Sequence, residues 1–186
     1  QEKDNGGRRT TYTYDVYQQL LKTTDAYGRT EAKEYDKYGQ VIKTISFTNE
    51  TTVTKYDKWG NAITVTDSHG NITTNTYDVV DQLIESKDAK GVITKYTYDK
   101  AGRTIKTWDS FSDKEETNTY DAVGNVIESS DKAGAVTKNT YDAKNQLVKT
   151  SNALGQVTTT EYDALGNVKK ITDAAGNSKQ NVYDSF

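Results

Sequence analysis

Apolar residues in this chain come as short alternating runs, never as the long faces of helices. Runs of six or so residues, such as 41–46 and 126–131, open on an apolar pair and then alternate. Threonine-rich runs alternate with them, and the two kinds are separated by clusters rich in Asp, Gly and Asn. That rhythm predicts β-strands joined by tight turns. The rhythm is periodic. A Tyr-Asp pair stands at Tyr14-Asp15, Tyr35-Asp36, Tyr56-Asp57, Tyr77-Asp78, Tyr98-Asp99, Tyr120-Asp121, Tyr141-Asp142, Tyr162-Asp163 and Tyr183-Asp184. The step is 21 residues, except for one of 22 between Tyr98 and Tyr120. A fixed period of this length marks a repeat architecture.

Each unit contains two turn signals. The first, Tyr-Asp-x-x-Gly, is clear at Tyr35–Gly39, Tyr56–Gly60, Tyr98–Gly102, Tyr120–Gly124 and Tyr162–Gly166, with Gln18, Asp81 and Asn145 replacing glycine elsewhere. The second is Asp-x-x-Gly, as in Asp25–Gly28 and Asp173–Gly176, with Ser46–Asn49 and Asn152–Gly155 as variants. Aspartate opening a turn and glycine three residues later is a type I preference. The single long step falls at a second turn, Asp109–Asp113, where a loop absorbs one extra residue. Two turns and two runs per unit make one β-hairpin. The expected fold is all-β: tandem antiparallel hairpins forming a long twisted sheet. Counting arms gives 17 strands in residues 4–186: a half unit at 4–13, eight full units over 14–182 and a truncated unit at 183–186, with 1–3 as a flank.

Alternation sorts the side chains by face. Leu21, Ile42, Ile63, Ile84, Ile105, Ile127 and Val148 share a parity with Thr23, Thr44, Val65 and Ser86 and with the repeat tyrosines. The opposite parity carries Lys22, Lys43, Glu85, Lys106, Glu128, Lys149 and Lys170, plus an apolar row beginning with Leu20, Val41 and Leu83. Placing both arms on common faces assumes a second turn of three residues, because a one-residue slip inverts the pairing. A lone hairpin is not stable in water, so stability is expected from stacked neighbours, with the tyrosines in the less exposed face, uncharged with few exceptions such as Lys33 and Lys169.

Composition narrows the function. The 186 residues are 33% apolar and 27% charged, with 14 tyrosines. Mean hydropathy is −0.90. No run approaches the ~18 apolar residues of a membrane span. The chain has no cysteine, which excludes disulfides, thiolate metal sites and cysteine catalysis. It has no proline, which suits an uninterrupted ladder. The net charge of −3 is dispersed by the repeat and gives nucleic-acid binding no support. The absence of methionine leads us to expect a piece of a longer protein.

The unit Tyr-Asp-x-x-Gly, apolar pair, Asp-x-x-Gly, Thr-rich run, Tyr-Asp resembles the YD-repeat, or RHS-repeat, family over residues 4–184. The resemblance implies hairpins that spiral into a curved, hollow β-shell with the tyrosines facing inward. It also implies a large bacterial protein that is secreted or displayed at the cell surface, often associated with toxins. Family members that release an enclosed toxin cut themselves at an Asp-Pro-containing motif. Without proline, this chain cannot carry that motif, so the resemblance extends to the container wall alone.

Candidate chemistry is sparse. His69, the one histidine, sits in the turn Asp67–Gly70 without a second base or an oriented nucleophile. No catalytic residue, metal site or cofactor is expected. The turn aspartates Asp15, Asp36, Asp57, Asp78, Asp99, Asp121, Asp142 and Asp163 supply about one carboxylate per turn, against the several oxygens that calcium needs. Capping of their own turns is the favoured role. Three residues after the tyrosine stand Tyr17, Tyr38 and Trp59, followed in later units by Val80, Ala101, Val123, Lys144 and Leu165. These three aromatics form a possible binding edge for a glycan or a cell-surface protein; the alternative is an apolar turn residue folding over its neighbour. Choline- and glucan-binding hairpin repeats fit poorly, because only Trp59 and Trp108 are tryptophans. The leading expectation is a structural, non-enzymatic segment whose main partner is the rest of its own chain. An adhesin-type module and end-to-end self-association through open sheet edges stand as alternatives.

Overall fold

The computed structural model describes residues 2–3 and 9–183. The turn expected at 4–7, and Asp184, lie outside the described residues. Two compact units divide the chain, Gln1–Thr94 and Lys95–Phe186. Every regular element among the described residues is a strand, 18 in number. In the first unit they are β1 (Glu2–Lys3), β2 (Arg9–Tyr14), β3 (Leu20–Thr24), β4 (Thr30–Tyr35), β5 (Val41–Ile45), β6 (Thr51–Tyr56), β7 (Ala62–Thr66), β8 (Ile72–Tyr77) and β9 (Leu83–Lys87). Strand β10 (Ile93–Tyr98) spans the unit boundary. The second unit continues with β11 (Thr104–Asp109), β12 (Lys114–Tyr120), β13 (Val126–Ser130), β14 (Val136–Tyr141), β15 (Leu147–Ser151), β16 (Val157–Tyr162), β17 (Val168–Thr172) and β18 (Ser178–Gln180). The strand beyond the expected 17 is β1, which pairs antiparallel with the start of β2 through Glu2↔Thr10 and Lys3↔Arg9.

Within each unit, successive strands pair antiparallel in sequence order, from β1 to β9 and from β11 to β18. Both turns of the repeat have the same construction. In the first, the Asp36 N–H donates to the Gln40 carbonyl (3.0 Å) and the Gly39 N–H to the Asp36 carbonyl (3.1 Å). In the second, Asp25 and Gly28 make the same bonds to Arg29 (2.9 Å) and Asp25 (3.0 Å). This is a type I turn followed by one residue with positive φ. Gln18 (φ 66°), Asn49 (φ 63°), Asp81 (φ 64°) and Asn145 (φ 61°) accept that conformation where glycine is missing.

Five residues lie between the pairs Thr24↔Thr30, not the three assumed from the sequence. Five and three are both odd, so the parity is unchanged: Thr23 pairs with Glu31 across the second turn and with Tyr12 across the first. The longer unit also keeps this register. Trp108 faces Glu115 as Thr24 faces Thr30, and the extra residue is taken up between them.

A feature absent from the expected pattern is a bulge at seven of the first turns. Thr13 pairs with Lys22 but Tyr14 pairs with Leu20, so Leu20 and Leu21 together stand opposite one tyrosine. The same shift occurs at Tyr35, Tyr56, Tyr77, Tyr120, Tyr141 and Tyr162. It gives the apolar pair that opens each first arm a structural cause, since strict alternation cannot contain two neighbouring apolar residues on one face.

No apolar side chain is fully buried among the described residues; Asp109, 7% exposed, is the single buried polar one. Stability must come from ladder bonds and half-buried faces, repeat upon repeat. Glycine matters most where φ lies well into the positive region, where asparagine is strained and a β-branched residue is strained further. At Gly60 φ is 100°. We expect Gly60→Val to cost about 1–2 kcal/mol and Gly60→Asn clearly less; urea midpoints of the two variants check the ordering.

Candidate functional site

The recurrent polar residues converge on two places in each hairpin. The first is the turn. Every turn aspartate singled out from the sequence accepts backbone N–H bonds on Oδ1 from the residues two and four further on. Asp15 takes Tyr17 and Gln19 (both 2.8 Å), and Asp36 takes Tyr38 (2.8 Å) and Gln40 (3.0 Å). Asp57, Asp78, Asp99, Asp121, Asp142 and Asp163 repeat the arrangement. The variant turns use Ser46 Oγ or Asn152 Oδ1 in its place.

Oδ2 has partners as well. The Arg103 guanidinium reaches Asp99 Oδ2 (2.6 Å), and Asn125 and Asn167 donate to Asp121 (2.9 Å) and Asp163 (3.0 Å). The Arg103 side chain, then its N–H, holds the Asp99 carboxyl below the usual carboxylate range. The side-chain amides of Asn71, Asn125, Asn167 and Asn177 do the same for Asp67, Asp121, Asp163 and Asp173. These carboxylates are committed to their own turns. Among the described residues, no group of three or more acidic or histidine side chains is placed to hold a metal ion. His69 is exposed, and its N–H donates to Asp67.

The second place is the bulge carbonyl. The Tyr35 hydroxyl donates to the Leu20 carbonyl and the Tyr56 hydroxyl to the Val41 carbonyl (both 2.9 Å). Tyr77, Tyr120, Tyr141, Tyr162 and Tyr183 reach the corresponding carbonyls of Ala62, Thr104, Val126, Leu147 and Val168. Each of these seven tyrosines therefore bonds back to the first residue of the preceding unit's first arm. The Asn75, Asn139 and Asn181 amides, two residues before their tyrosines, donate to the same carbonyls. Tyr14 is half exposed, at 50%, while Tyr35, Tyr56, Tyr77, Tyr120, Tyr141 and Tyr162 are half-buried. Tyr98 is also half-buried.

Two further contacts had only faint sequence signals. Five residues after the tyrosines from Tyr14 to Tyr162 stands Gln, Asn or Arg, and at several of these positions the side chain extends to the next unit's first turn. Asn61 donates to Asp81 Oδ1 (2.7 Å), Arg103 to the Asp121 carbonyl (3.0 Å) and Gln146 to the Gly166 carbonyl (3.4 Å). The second contact is at the long turn. Asp109 accepts the Ser112 N–H (2.7 Å) and hydroxyl (2.8 Å), and Lys132 from the following second turn closes on it at 2.5 Å. The Lys132 ammonium, followed by Ser112, holds the Asp109 carboxyl well below the carboxylate range.

The charged parity carries cross-strand pairs: Lys43–Glu34 (2.7 Å), Lys138–Glu128 (3.1 Å) and Lys170–Glu161 (3.6 Å). Exposed pairs of this kind add little stability. They do keep like charges from facing one another directly. On the turn edge of the first unit, Tyr17, Tyr38 and Trp59 are 81%, 75% and 69% exposed.

Fold and turn chemistry define a tandem β-hairpin repeat protein. The RHS Repeat family model matches residues 56–92, 77–107 and 141–178, and these stretches are RHS repeats. No curated protein matches the sequence. Among solved structures, TcdB2-TccC3-Cdc42 is similar at 16% identity and a TM-score of 0.63, over 92% of this chain and 12% of that one. TcdB2-TccC3-TEV is similar at 17% identity and a TM-score of 0.65, over 89% of this chain and 11% of that one. These likenesses concern the fold, and this chain spans only about an eighth to a ninth of their length. No helix among the described residues is long and apolar enough to cross a membrane.

Proposed function

We propose that this chain is a structural, non-enzymatic segment of the wall of an RHS-repeat shell or stalk, within a large exported bacterial protein of the toxin-delivery or cell-surface kind. One observation carries the reading. The residues that recur most strictly, Tyr and Asp, are engaged in bonds that build the hairpin or tie it to its neighbour. A catalytic or metal-binding repeat would instead aim its recurrent polar groups outward. The small share of the TcdB2-TccC3 chains that this array matches fits a wall segment of something larger. In such a wall the Tyr, Asn and Thr face lines the enclosed side, and the charged face with its cross-strand pairs meets solvent.

The test is thiol accessibility in the longest native form of the protein, freed of other cysteines. Ser86 shares the tyrosine parity and Lys87 the other. Ser86→Cys is expected to resist a bulky polymer-linked maleimide that modifies Lys87→Cys within minutes. In the 186-residue chain alone, both should react. Equal modification at both positions in the longer protein would remove the shell-wall reading.

A further inference from the structure

We propose that the first-turn edge of the N-terminal unit is a binding platform for an extended, ribbon-like polysaccharide of linked pyranose rings. The inference goes beyond the wall reading and does not depend on it. Tyr17, Tyr38 and Trp59 occupy equivalent positions in three consecutive hairpins, and all are exposed. Their turns are separated by two strands, which sets the interval at ~10 Å, comparable to the length of two linked sugar rings. Each turn is fixed, because the N–H of each aromatic residue donates to its turn aspartate at 2.8–2.9 Å. The backbone under the rings is therefore preorganised.

What lies between the rings identifies the occupant. The Gln19 side-chain nitrogen lies 2.8 Å from where a Cβ on Gly39 would stand, and that of Gln40 is similarly placed at Gly60 (2.9 Å). The edge thus reads aromatic, amide, aromatic, amide, aromatic. The Lys37 and Lys58 ammonium groups lie over the Tyr38 and Trp59 rings, 4.8 and 4.0 Å from their centres, and a sugar stacking on that face displaces them toward its hydroxyls. Between Tyr17 and Tyr38 the surface sinks into an open groove whose floor includes Leu21 and Tyr35. A protein segment docking through apolar contacts needs a continuous apolar patch, which these polar interruptions deny it. A sugar chain offers the complementary pattern: C–H faces for the rings and hydroxyls for the amides and ammonium groups. Three rings in line over ~20 Å call for an extended polymer, because a single sugar reaches one ring only. Val80 and Ala101 end the aromatic row in the next units.

The experiment titrates the 186-residue chain, in a Trp108→Phe background, with cellohexaose and chitohexaose while following Trp59 fluorescence. At least one hexaose is expected to perturb Trp59 and to bind about tenfold or more tighter than its disaccharide, as engagement of more than one ring requires. Tyr38→Ala should weaken binding about tenfold, with the circular dichroism spectrum unchanged. Leu165→Ala, at the equivalent turn position of the second unit, should leave it unaltered. No binding of either hexaose to the folded chain overturns the proposal. So does equal affinity for disaccharide and hexaose, or binding that survives Tyr38→Ala.

Discussion

Tyr56→Ala is expected to cost about 2–3 kcal/mol, and Tyr56→Phe only about 1. The alanine variant loses a half-buried aromatic ring together with the hydroxyl bond to the Val41 carbonyl at 2.9 Å. The phenylalanine variant keeps the ring and leaves the bulge carbonyl without that donor. The full penalty for deleting a buried aromatic is not expected, since no apolar side chain among the described residues is fully enclosed. Because the array is held by nearest-neighbour contacts, the loss should be felt most in the hairpins that flank Tyr56. Hydrogen exchange resolved by residue, with a urea midpoint for the whole, measures both parts. Equal midpoints for alanine and wild type would mean that the tyrosine row does not bind one unit to the next.

Acid should unfold the array through its turns. The carboxyls of Asp67, Asp99, Asp121, Asp163 and Asp173 are held below their ordinary value in the folded chain, chiefly by side-chain donors and then by backbone N–H groups. A depressed folded pKa means that the unfolded chain takes up protons first as pH falls. Their contribution is therefore complete above the unfolded value of about 3.9 and disappears as pH drops through the lower folded values. Asp109, held lower still by Lys132, should be among the last to yield. Thermal midpoints are expected to be insensitive to these groups from about pH 5 upward and to fall below about pH 4. Asparagine caps equally well, as Asn152 does for the N–H groups of Leu154 and Gln156 at 3.0 Å. Exchanging Asp67, Asp121, Asp163 and Asp173 for Asn should therefore flatten the acid limb while leaving the neutral midpoint nearly unchanged. An acid limb as steep as in the wild type would assign the acid response to other groups.

The candidate residues differ in how far their positions were legible beforehand. Asp57 was readable as a turn cap because capping is local: the N–H groups it binds belong to Trp59 and Asn61, two and four residues away. Tyr56 was readable as a member of the less exposed face, but its hydrogen-bond acceptor was not. Val41 lies 15 residues back on a neighbouring strand, and its carbonyl becomes a target through the bulge opposite Tyr35. Asn61 carried a signal, a polar residue always five after the tyrosine, yet its bond to Asp81 exists only because the next hairpin stacks alongside. The row at Tyr17, Tyr38 and Trp59 followed from the period itself, which brings equivalent turns to one edge.

By itself the sequence determined the all-β class, the hairpin as the unit, both turns and their caps, and the division of side chains between two faces. Each of these depends on interactions within a few residues or on strict alternation, and an odd turn length of either three or five preserves the alternation. The tertiary structure decided which groups meet between hairpins: tyrosine hydroxyls on bulge carbonyls, amides on the next turn, and Lys132 on Asp109. Those contacts depend on strand register and on a bulge that breaks alternation. A one-residue displacement of the backbone moves them, and only the folded ladder fixes it.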